Sequence, residues 1–133
     1  MMYQKKQSEL SVVMKAKDLC KYIMTVTQKS PKQYRFTFTS RMQNLSLDII
    51  EHIYRANDTF VSGSDKAARY QRRLDFQHEA LTELRLLAYF AQVALEQKAI
   101  LPNQYEQIAK QSADCMNMVG AWILSDKKRF GYD

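Results

Sequence analysis

The sequence holds 133 residues with a formal charge of +6, 46% apolar side chains, three glycines and two prolines. That length suffices for one domain with a proper core, and so few breakers leave few turns, which predicts a chain of mostly long helices. No apolar run reaches the roughly 18 residues of a membrane span, and no apolar signal core follows Lys5 and Lys6, so a cytoplasmic protein is expected.

The first helix is predicted over about residues 10–29. Val12, Val13, Ala16, Leu19, Cys20, Ile23, Met24 and Val26 share one face at helical spacing, with Lys17 and Lys21 opposite. Ser30-Pro31-Lys32-Gln33 reads as a break and restart: Ser30 as N-cap, Pro31 in first position, Gln33 closing a capping box. The second helix then covers 31–57, with Met42, Leu45, Ile49, Ile50 and Ile53 toward the core. Residues 58–65, with Ser62-Gly63-Ser64, form a loop.

The third helix, about 66–98, is amphipathic at first and apolar nearly all round from Leu84 to Leu95. A helix of that kind needs a second apolar neighbour, which either the same chain or another subunit supplies; the expectation is a homo-oligomer. Pro102 opens the fourth helix, 102–126, with Tyr105, Ile108, Ala109, Met116, Val119, Trp122 and Ile123 as its buried stripe. The fold expected is a single all-α domain, an antiparallel up-down four-helix bundle.

Little in the chain suggests catalysis. Cys20 and Cys115 lack a partner motif and read as small buried hydrophobes. Asp75 and His78 have the carboxylate–His spacing of metal-binding bundles, but the second such pair is missing, so no metal and no cofactor are expected. No phosphate-binding glycine loop or nucleophile motif is present, and the chain is not expected to be an enzyme.

Charge is the more informative signal. Residues 1–41 carry nine cations against Glu9 and Asp18, a balance of +7, while the other 92 residues balance to −1. Lys17, Lys21, Lys29, Lys32 and Arg35 in that first third, with Arg69, Arg72 and Arg73 at the start of the third helix, are the candidate nucleic-acid-binding residues. Cations gathered on one surface release counterions from a phosphate backbone, so RNA or DNA is the partner implied. That surface is extended only if helices 1 and 3 face the same side. The bland reading pairs Arg69, Arg72 and Arg73 with nearby acids and leaves Lys127, Lys128 and Arg129 to complement a helix end.

Three stretches carry a family likeness: Ser30-Pro31-Lys32 through Ile53-Tyr54-Arg55-Ala56-Asn57; Ala80 to Gln97 followed by Ile100-Leu101-Pro102-Asn103-Gln104-Tyr105; and Gly120-Ala121-Trp122-Ile123 before Lys127 to Arg129. Together they resemble the accessory variability determinant (Avd) proteins of diversity-generating retroelements, within the wider four-helix-bundle family of ribosomal intervening sequences. The resemblance implies a homopentameric barrel that binds nucleic acid and the element's reverse transcriptase as a non-catalytic partner in mutagenic retrohoming. The alternative is a self-assembling scaffold that binds only protein. Gly120 and Trp122 read as structural: glycine allowing close helix approach, and a core aromatic with its indole N–H satisfied at the rim.

Overall fold

The computed structural model describes residues 7–132, with side chains from residue 11 onward. Lys5 and Lys6, and the Glu9 side chain that entered the charge balance, lie outside the described residues. Four α-helices carry the chain: α1 (Gln7–Gln28), α2 (Ser40–Asn57), α3 (Lys66–Glu96) and α4 (Pro102–Phe130). Among the described residues there is no strand. Each helix packs on its chain neighbours, and α4 returns to α1, so α1 and α3 sit on a diagonal. Side-chain contacts fix the antiparallel sense. Cys20 and Thr27 of α1 meet Ser46 and Gln43 of α2, and Arg73 of α3 meets Asp126 of α4.

The helix ends differ from expectation for local reasons. Ser30 does not cap: the chain leaves Pro31 extended and enters a 3-10 turn, Lys32–Tyr34, with no side-chain cap hydrogen bond. Arg35–Thr39 follows as a π-helical turn before α2 begins at Ser40. The predicted single helix over 31–57 is thus three consecutive helical geometries. Pro102 does stand first in α4, where Gln104 Oε1 accepts the Leu101 N–H at 2.8 Å. That helix continues past residue 126 to Phe130, because Lys127, Lys128 and Arg129 favour the negative end of the helix. It stops at Gly131, which takes φ +78° while Tyr132 N–H bonds back to Lys127 O at 2.9 Å.

The apolar stripes meet in one core. Leu19, Ile23, Ile49, Ile53, Leu84, Leu87 and Ile108 are fully buried, and such burial contributes about 1.5–3 kcal/mol for each side chain. Trp122 joins them as the largest buried side chain. Its indole N–H has no hydrogen-bond partner, so the expected satisfied position at a rim is wrong. The Arg73 guanidinium lies 5.2 Å from its ring centroid instead, a cation–π contact on the π-face. Gly120 also departs from its reading: a Cβ added there would meet nothing within 4 Å, so no helix of this chain approaches closely at that point.

Both cysteines are free and buried. Burial pushes the Cys115 thiol up to about 12. Thiolate, the reactive species, is then about one part in ten thousand at pH 8. A thiol-directed reagent at pH 8 should therefore leave Cys115 unmodified in the folded protein and label it promptly in denaturant. Labelling of native Cys115 at the rate of an exposed thiol would contradict the packing.

Candidate nucleic-acid interface

Seven of the eight candidate cations are exposed; Arg73 is not. Its side chain keeps only 3% of its exposure. Nε and Nη2 donate to Asp126 Oδ2 and Oδ1 at 2.6 and 3.1 Å, and Nη1 donates to the carbonyls of Ala56 and Thr59 at 3.2 and 3.4 Å. Gln77 Nε2 donates to the same Asp126 Oδ2 at 2.9 Å. A guanidinium held this way by α2 and α4 cannot reach a phosphate, so Arg73 belongs to the core network. Periodicity points the same way after the fact, since Arg73, Gln77, Ala80, Leu84 and Leu87 recur at i+3/i+4.

The bundle divides the remaining cations into two groups. Because α1 and α3 are diagonal, their outer faces point away from one another, and the single extended surface does not form. Lys17 and Lys21 stand on the outer face of α1, about 18 Å and about 12 Å along the axis from Lys29. Lys29, Lys32 and Arg35 follow at the α1–α2 junction, where Lys32 and Arg35 edge a cleft of about 340 Å³. Among the described residues none of these five cations has a carboxylate partner.

Two residues at this end went unnoticed in the sequence. Phe36 projects from the π-helical turn with 87% of its surface exposed, beside Arg35. Lys98 is exposed in the α3–α4 turn at φ +62°, and that turn is tied to the junction by Tyr34 Oη donating to Gln97 O at 2.9 Å. Phe36 alternates with Tyr34 and Phe38 beside Arg35, and nothing in the sequence told which of the three aromatics faces solvent or placed Lys98 there.

Arg69 and Arg72 lie at the opposite end, on a cleft of about 580 Å³ between α2 and α3. Arg69 Nε donates to both carboxylate oxygens of Asp65 at 3.0 Å, as the bland reading foresaw. That hydrogen bond holds the Asp65 carboxyl below its ordinary range. Arg55 is likewise paired with Glu51, at 3.0 Å. Arg72 stacks its guanidinium 5.8 Å from the Phe76 ring centroid, and no carboxylate among the described residues pairs with it. Lys127 and Lys128 join this end because Tyr70 stacks on Tyr132 at 4.2 Å, binding the tail of α4 to the start of α3. The mixed signs there make it the weaker anion surface.

A basic all-helical bundle with a clustered row of cations lacking carboxylate partners is the class of protein that this geometry defines. Residues 10–125 match the pattern of the family described as bAvd-like, and the chain belongs to that family. It is also similar in structure to a protein of unknown function of the S23 ribosomal protein family from Bacteroides thetaiotaomicron VPI-5482. The likeness has a TM-score of 0.68 at 17% identity, covering 88% of this chain and 98% of that one. It speaks for the fold alone. No curated protein matches the sequence. Among the described residues no helix is long and apolar enough to cross a membrane.

Proposed function

We propose that this protein is a non-catalytic accessory subunit that binds nucleic acid and a reverse transcriptase in a diversity-generating retroelement, working in the cytoplasm. The carrying observation is the row Lys17, Lys21, Lys29, Lys32 and Arg35, exposed and without carboxylate partners among the described residues. Membership in the bAvd-like family supports the retroelement setting. Phosphates meeting such a row make contacts that are electrostatic and tolerant of sequence, and Phe36 offers a base a stacking surface beside them. The copying chemistry then belongs to the polymerase.

The chain acts as a homo-oligomer, with five subunits favoured by the resemblance to Avd proteins. Leu86, Tyr89 and Val93 support this: they form a solvent-facing apolar row on α3 at i, i+3, i+7 spacing, with Tyr89 67% exposed. Light scattering at micromolar concentration should give a mass several times the 15.6 kDa of the chain. RNA and single-stranded DNA should bind with affinity that falls steeply as salt rises, and a reverse transcriptase encoded beside the gene should co-purify. A monomer that retains neither nucleic acid at low salt would end this reading. An oligomer that retains neither, yet captures the polymerase, would leave a protein-only scaffold.

A further inference from the structure

The sequence expectation of no metal rested on Asp75 and His78, both on α3. The structure brings a different set together across the groove between α2 and α3. His52 of α2 faces Glu79 and Glu83 of α3, and one ligand atom from each lies within 4.8 Å of the others. His52 Nδ1 and Glu83 Oε1 are already 2.7 Å apart. Glu79 and Glu83 are one helical turn apart on α3, so the two carboxylates share the side that His52 faces.

We propose that His52, Glu79 and Glu83 form a binding site for a first-row divalent transition ion, zinc above all. Three arguments carry it. The donor set, one imidazole and two carboxylates, suits a borderline ion and disfavours magnesium or calcium, which prefer oxygen alone. Three protein ligands leave a further coordination position for water or a ligand. The local charge also asks for a cation. Glu83 is buried, and the Glu79 carboxylate lies within reach of the same point, so two carboxylates face a single imidazole. A divalent ion at the centre of the three ligand atoms offsets both carboxylates at once. It takes the place of the proton shared by His52 and Glu83, which leaves to solvent.

The chain has only two histidines, His52 and His78, which makes the assignment testable. Chelator-treated protein titrated with zinc chloride near pH 7 should take up one ion per chain in calorimetry. Affinity should fall as the pH is lowered, because protons compete with the ion for its ligands. H52Q should weaken binding by about a hundredfold and E79Q by about tenfold or more, with H78Q unchanged. Cobalt(II) in the same site should show the spectrum of nitrogen and oxygen donors without a thiolate charge-transfer band. Glu79 is exposed, so E79Q leaves the core untouched and decides the matter should H52Q fail to fold. Undiminished zinc binding in E79Q, loss in H78Q, a thiolate band, or no uptake at all would each overturn the site.

Discussion

Replacing Asp126 by alanine is expected to cost about 3–5 kcal/mol of stability, because it leaves the Arg73 guanidinium charged, buried and short of its partner. The network spans three helices: Arg73 from α3 holds Asp126 of α4 and the Ala56 and Thr59 carbonyls at the end of α2. Gln77 would lose its acceptor as well. The guanidinium also lies 5.2 Å from the Trp122 centroid and 5.8 Å from that of Phe130. Losing the carboxylate therefore loosens the packing of the largest core side chain. Urea denaturation followed by circular dichroism measures the loss, with an unchanged m-value marking it as one of stability. The double variant Arg73→Met with Asp126→Leu should recover most of it, since the pair removed together leaves no lone charge. A loss below about 1 kcal/mol in Asp126→Ala would mean that water reaches the site and that the pair behaves as a surface one.

The same network shows where the sequence stops being legible. Helix number, order and apolar stripes were readable because Val12, Leu19, Ile49, Ile53, Ile108 and Val119 repeat at helical spacing, and burial follows that pattern. Arg73 and Asp126 escaped because each sits in a charged run, Arg72-Arg73 and Asp126-Lys127-Lys128, and each looks solvated beside its neighbours. Only three-dimensional pairing over 53 positions reveals that they offset one another. The ligand set of His52, Glu79 and Glu83 hid for the same reason, since spacing rules find ligands on one helix more readily than across two. The junction after α1 failed differently. Ser30 and Pro31 have the composition of a helix start, yet the chain winds through 3-10 and π turns that place Tyr34 on Gln97 and leave Phe36 outward. Local propensity carries no information on that tertiary tie.

Nucleic-acid affinity should fall at least tenfold when Lys17, Lys21, Lys32 and Arg35 are replaced together by glutamine, in a protein that stays folded. All four side chains are exposed and off the buried stripes, so far-UV circular dichroism and melting should be little changed. For every phosphate no longer neutralised, the slope of log affinity against log salt should become shallower by about 0.7 units for a single strand and about 0.9 for a duplex. The pair Arg69→Gln with Arg72→Gln should have the smaller effect, because Asp65 already satisfies the Arg69 guanidinium with both oxygens. Releasing that ion pair offsets part of the affinity that a phosphate there would bring. Phe36→Ala, which removes no charge, should weaken single-stranded RNA more than duplex and leave the salt slope intact, since stacking releases no counterions. These three patterns differ in slope as well as in size, so they identify which end of the bundle meets the strand. A larger loss from the Arg69 and Arg72 pair than from the four α1 and junction cations would move the interface to the opposite end. Parental affinity and slope in the quadruple variant and in the pair alike would make both cationic ends solvated surface, and the protein a scaffold whose partners are other proteins.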